Sequence, residues 1–273
     1  MMRSLWTAAS GMSVQQVQVD TISNNLANVN TIGYKQETMN FKSLLYQNLT
    51  TSDATDSTAT GLPSPMQVGH GVRLGSMTRD FSFGGFLPTG NATDLAIQGA
   101  GFFAIMDGNE VSYTKDGSFK FSNVNNEYLV LVTASGDPVL STEGEPIMLD
   151  PGVEAGQIFI DPAGTVAYID RDLGTQVEVA TLQLVQFANV EGLQAIGDNY
   201  YRETVASGAA LSEIESEGLT RSEIQSGYLE ASNVDVATEM VNLIIAQRAY
   251  EMNSTAIKTS DEMLQQANGL KRM

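Results

Sequence analysis

The chain has no cysteine, one histidine, one tryptophan and seven prolines in 273 residues. Without cysteine there is no disulfide, no thiolate metal site and no thiol nucleophile. The single histidine, His70, lies between two glycines and has no neighbouring nucleophile to activate. One histidine also cannot build a histidine-rich metal site. No run of eighteen apolar residues occurs, so no membrane-inserted helix is expected. Cations are scarce: 14 Lys and Arg stand against 32 Asp and Glu, for a net charge of −18. Such a surface repels nucleic acid and anionic lipid. Neither a cofactor nor a bound metal is expected.

A hydrophobic content of 42% is enough for a core, and the length suits one large domain or two modest ones. The charge is unevenly spread. Residues 1–49 carry a net +1 and residues 228–273 a net −2, which leaves −17 for the middle. The opening "MMRSLWTAASGM" has a basic residue and small residues, as a secretion signal does. Ser4, Thr7 and Ser10 interrupt its apolar run, so a cleaved signal is not expected and any export would retain this segment.

The ends read as helices and the middle as β. Leu5, Met12, Val19 and Leu26 recur every seven residues, with Ala8, Gln15, Ile22 and Val29 three residues further on. That seam predicts a helix from about Ser4 to Asn28. Val236, Leu243, Tyr250, Ile257 and Leu264 repeat the spacing at the other end, with Met240 leading the companion row and Val241 and Ile244 widening the stripe. Ser232 or Asn233 is the expected N-cap and Gly269 the expected stop. A shorter helix is predicted over Glu37–Asn48, from Phe41, Leu44, Leu45 and Leu49. "TTSDATDSTAT" and the "GLPSP" after it read as an extended loop, residues 50–67. From Val68 to about residue 205, alternating apolar positions predict an antiparallel, hairpin-rich region, with Asp-Gly turns at 107–108 and 116–117. Residues 206–227 read as a return linker. The fold class is therefore α+β: two long terminal helices, paired in a coiled-coil-like inner domain, enclosing a mainly antiparallel β domain. The segments are 1–49, 50–67, 68–227 and 228–273.

Few motifs point to chemistry. "GAGFFA" at 99–104 satisfies G-x-G-x-x-A, but Phe102, Phe103 and Ile105 continue into a strand where a dinucleotide site needs a helix. The Asp-Gly pairs lack the carboxylate spacing of a calcium loop. The terminal helices are more informative. If they paired only with each other, Trp6, Val14, Ile245 and Met252 would still face outward. A patch of that kind calls for a partner.

"SNNLANVNTIGYKQ" holds Asn24, Asn25, Asn28 and Asn30, followed by Gly33. Asn24, Asn25 and Asn28 share one side of a helix and predict a polar strip that fixes register between helices. Asn30 and Gly33 are expected to take left-handed conformations that end the helix. Ordinary capping by Asn28 or Asn30 is the alternative.

These same residues, "SNNLANVNTIGYK", resemble the N-terminal signature of the bacterial flagellar rod and hook family. "GYLEASNVDVATEMVNLIIAQRAYEMNSTAIKTSDEML" is similar to its C-terminal motif. "FKSLLYQNL", "GLPSPMQVGHGV" and "LAIQGAGFFAI" narrow the resemblance towards the rod members. The resemblance implies a structural subunit that is exported without a cleaved signal and polymerises with itself as a helical tube. It implies a periplasmic basal-body location, with other rod proteins, the hook or its junction, the envelope rings and the export apparatus as partners. The assembly surface would then comprise Leu5, Met12, Val19, Ile22, Asn24, Asn25, Leu26, Asn28, Val236, Met240, Leu243, Ile244, Tyr250 and Ile257. The competing reading is a secreted β-rich binding protein or enzyme whose helical ends are a stalk.

Overall fold

The computed structural model describes residues 2–50, 66–108, 110–124, 128–149, 158–169, 176–214, 216 and 218–270. The expected 50–67 loop falls almost wholly outside them. The chain divides into two compact units.

Unit 1 gathers residues 1–27, 37–79 and 235–273. It holds α1 (Met2–Ala27), β1 (Glu37–Ser43), β2 (Tyr46–Thr50), β3 (Met66–Gly69), β4 (Val72–Arg79) and α2 (Val236–Leu270). α1 packs on α2 and touches β1 and β4. β1 pairs antiparallel with β4, and β2 with β3. The helix expected at Glu37–Asn48 is therefore two strands. Thr38, Asn40, Phe41 and Tyr46 are poor helix formers, and pairing with β4 and β3 gives their backbone the partners a strand needs.

The start of α2 also differs from expectation. Asp235, and neither Ser232 nor Asn233, is the cap. Its carboxylate accepts the Ala237 and Thr238 N–H groups at 3.4 and 3.1 Å and the Thr238 hydroxyl at 2.5 Å. Those bonds hold its pKa below the usual carboxylate value, the Thr238 hydroxyl contributing most. α2 runs through Gly269 rather than stopping there.

Unit 2 comprises residues 28–36 and 80–234. Its strands are β5 (Phe86–Pro88), β6 (Leu95–Gln98), β7 (Phe102–Asp107), β8 (Glu110–Thr114), β9 (Lys120–Val124), β10 (Tyr128–Val132), β11 (Met148–Leu149), β12 (Ile158–Ile160), β13 (Thr165–Ile169), β14 (Gln176–Thr181), β15 (Leu184–Gln186), β16 (Gln194–Gly197), β17 (Tyr200–Arg202), β18 (Leu211–Ser212), β19 (Glu223–Ser226) and β20 (Tyr228–Glu230). A six-stranded sheet runs β16-β17-β8-β7-β15-β18. Three-stranded sheets, β11-β10-β9 and β12-β13-β14, and the pairs β19-β6 and β20-β5 complete the unit. All strand pairings are antiparallel among the described residues.

β7 explains the uninterrupted apolar run after "GAG". Phe103 and Ile105 enter one buried cluster with Leu95, Phe119 and Leu131. Phe102 and Ala104 enter another with Leu140, Val185 and Tyr201. A strand covered on both faces has no polar side to alternate with. The 107–108 turn closes the β7–β8 hairpin, where Asp107 pairs with Glu110. The 116–117 turn does not close one, because β8 pairs with β17 while β9 turns to β10. The expected return linker contains β19, which pairs with β6 through all four of its residues.

Candidate assembly interface

Small and polar residues make up most of what α1 and α2 fully bury. On α1, Ala8, Val14, Thr21, Ile22 and Asn25 are buried. On α2 the buried residues are Glu239, Ala246 and Ser260. These three share a seven-residue row with Asn253. That row lies three positions beyond the apolar row Val236, Leu243, Tyr250 and Ile257 that the sequence singles out. Gly11 faces Asn253 so closely that a Cβ there would lie 2.8 Å from the Asn253 amide nitrogen. Small residues let two helix backbones approach, and the approach fixes their register.

Of the asparagines expected to form a strip, only Asn25 is buried in the seam. Its Nδ2 donates to the Glu37 carbonyl at 2.9 Å and to a Glu239 carboxylate oxygen at 3.3 Å. Its Oδ1 accepts the Glu37 N–H at 3.0 Å. One amide thus ties the end of α1 to the start of β1 and to α2. Asn24 is exposed. Asn28 is half-buried past the helix end, where its backbone carbonyl and Oδ1 accept from the N–H and hydroxyl of Thr31 at 3.1 Å each. Asn30 is exposed in a turn and is not left-handed, because Gly33 alone of the two takes that conformation, at φ +68°. The Gly33 N–H donates to the Glu230 carbonyl at 2.9 Å, and a Cβ on Gly33 would lie 2.8 Å from the Asp116 nitrogen.

The chain passages at the edge of unit 2 are held by buried groups that sequence reading did not single out. Lys35 Nζ lies 2.6 Å from Glu230 Oε1, with both side chains fully buried, and donates to the Ser82 carbonyl at 2.7 Å. Asn233 accepts the Gln36 N–H at 2.8 Å and donates to the Asp80 carbonyl at 2.9 Å. Lys115 is buried beside them. Its ammonium donates to the Gly99 carbonyl at 2.9 Å and lies 5.0 and 5.5 Å from the ring centres of Phe102 and Phe83. Burial lowers its pKa to about 8; Lys35 acts in the same direction and Glu230 and Glu213 oppose it. Asn199, at φ +60° in the β16–β17 turn, donates to the Ile32 carbonyl at 2.8 Å.

The remaining residues expected at the interface lie off the seam or at its margin. Leu5, Met12, Val19, Leu26, Leu243 and Ile257 are half-buried. Val236, Met240, Ile244 and Tyr250 are exposed, and so are Val241, Ile245, Met252, Met263 and Leu270. At about 100° per residue, Val241, Ile245, Met252, Met263 and Leu270 fall within roughly 40° of arc. They form one apolar stripe along most of α2. Trp6 on α1 is 76% exposed.

Among the described residues no cluster of His, Asp or Glu is arranged to hold a metal ion. Among those residues, too, no helix is long and apolar enough to cross a membrane. His70 is exposed. A cleft in unit 2 is lined by Ser141, Glu143, Glu145, Met148 and Glu178, with no base set against a nucleophile.

Three family models match the chain. "Flagella basal body rod protein" matches residues 5–35, "Flagellar hook protein FlgE/F/G D1 domain" matches 96–168, and "Flagellar basal body rod FlgEFG protein C-terminal" matches 225–270. "Flagellar basal-body rod protein FlgG" of Borreliella burgdorferi is 44% identical, covering 100% of each chain. The chain belongs to the flagellar basal-body rod protein family. FlgG of Bacillus subtilis is 38% identical over 100% of both chains. FlgG of Caulobacter vibrioides is 40% identical over 99% of this chain and 100% of its own. Members of this rod family are structural proteins and not enzymes. Within this rod family, α1 and the turn after it carry the first match, and α2 with β20 carries most of the last.

Proposed function

We propose that this chain is a structural subunit of the flagellar distal rod, polymerising into a helical tube that transmits motor torque to the hook. The observation that carries the reading is the apolar stripe of α2, left open in a rod-family chain whose α1–α2 contact uses small and polar residues instead. A head-to-tail contact that does not close on itself yields a helical filament. In the tube the terminal helices, α1 and α2, pair in a coiled-coil-like inner layer. The subunit leaves the cytoplasm through the flagellar export apparatus with its N-terminus intact. It meets other rod proteins, the hook or its junction and the envelope rings in the periplasm.

A second reading is another rod or hook-type axial protein of the same family. It is favoured by the match of residues 96–168 to a domain shared with hook protein, and by the 32% identity to the "Flagellar hook-basal body complex protein FlhP" of Bacillus subtilis. Electron microscopy of the purified chain, with and without its first 30 residues, tests polymerisation. Straight tubes from the full chain alone support it, and compact particles from both under all conditions count against it. In cells, charging Leu26 or Leu243 should stop assembly before the hook. Normal hooks in such variants would sink the distal-rod reading.

A further inference from the structure

α2 carries three methionines, Met240, Met252 and Met263, and they are 52%, 67% and 50% exposed. Met252 and Met263 stand eleven residues apart, three helical turns, on the stripe that Val241, Ile245 and Leu270 share. Met240 lies one turn before Ile244 on the adjoining exposed face. An exposed thioether is open to two-electron oxidants, and its sulfoxide is polar and chiral where the thioether was apolar and flexible. Placed within an apolar stripe, that new dipole must be stripped of water before another helix can cover it.

We propose that these three methionines are an oxidative modification site that controls subunit association. This rests on the polymer reading above. An oxidant of the peroxide class is the co-reactant. The sulfur lone pair attacks one peroxide oxygen, the O–O bond breaks, and an S–O bond forms. The departing oxygen takes the proton from the transferred one and leaves as water. Sulfur is oxidised by two electrons and the peroxide is reduced by two. The modified face remains wet, and the chain stays out of the polymer until methionine sulfoxide reductases, one for each sulfoxide epimer, restore the thioether: two thiols of the reductant become a disulfide and the oxygen leaves as water. Leucine in the same places would give similar apolar area without this sensitivity.

The test treats the full-length free chain with hydrogen peroxide, maps sulfoxides by mass spectrometry and measures the threshold concentration for tube formation. Met148, on β11 and 46% exposed, serves as the reference for oxidant dose. The expected result is sulfoxide at all three α2 sites, a threshold raised by at least about tenfold, and its return after reductase treatment. The Met240→Leu/Met252→Leu/Met263→Leu variant should keep its threshold after peroxide. If that variant does not fold, reductase repair of the parent chain carries the test. An oxidised chain that assembles at the parent threshold overturns the proposal and leaves polymerisation standing. Loss that the reductases do not reverse also overturns it, by placing the lesion elsewhere. An untreated chain that never forms tubes overturns the polymer reading, and this proposal with it.

Discussion

Asn25 meets Glu37 through both of its amide atoms, much as one peptide group meets another in a sheet. Asn25→Ala should therefore leave a part-buried N–H and a part-buried C=O of Glu37 without these bonds, and strip Glu239 of a donor. The expected cost is about 2–3 kcal/mol in urea unfolding. Asn24→Ala, at an exposed position, should cost less, and equal losses would argue against the tie. Lys115 gives a prediction with a defined sign. Its folded pKa of about 8 lies below the ordinary lysine value of 10.5. Between those two pH values the unfolded chain binds more protons, so stability should rise with pH by up to about 3 kcal/mol. Lys115→Met should abolish that rise and be no less stable than the parent at pH 7. A variant with an unchanged pH profile would show that the ammonium is not the source. Gly33→Ala faces both a positive φ and a backbone atom 2.8 Å away, and should cost more than about 1 kcal/mol in the same assay.

Among the elements, α2 presents two faces with opposite expectations. Ala246 is fully buried at the α1 contact, so Ala246→Leu should overpack it and cost about 1–3 kcal/mol of stability. Ile245 is 59% exposed, so Ile245→Ala should change the free chain's stability by less than about 1 kcal/mol yet raise the polymerisation threshold. If both variants lose stability alike, the stripe is not a free face. The two long helices were legible because a seven-residue repeat survives along both. Their true contact row was not, because Glu239, Ala246, Asn253 and Ser260 carry no hydrophobic signal and bring the backbones close by being small or hydrogen-bonded. Residues 37–48 were misread because Phe41, Leu44, Leu45 and Leu49 mimic a helical period, while the deciding partners lie in β3 and β4. The Lys35–Glu230 pair joins residues 195 positions apart, a distance at which no local pattern speaks.

At the scale of the whole molecule, the two units differ in how much they depend on company. Unit 2 has β7 buried on both faces and needs nothing further to cover it. Unit 1 exposes its longest apolar stripe. In the free chain, amide hydrogen exchange should be slowest in β7 and faster at Val19–Leu26, in the unit that leaves its apolar stripe uncovered. Protection at Val19–Leu26 equal to that of β7 in a monomer would count against that difference. Unit 1 is also discontinuous, and its two helices come from opposite ends of the chain. Ser4 and Ser260 lie 3.5 Å apart across 256 residues of sequence. On the ribosome, α1 emerges long before its docking surface on α2. No early closure of the α1–α2 contact can occur, because the two helices coexist only once α2 has been made, and the loop to be closed holds nearly all of unit 2. The N-terminal helix thus waits through most of synthesis without the surface it docks on.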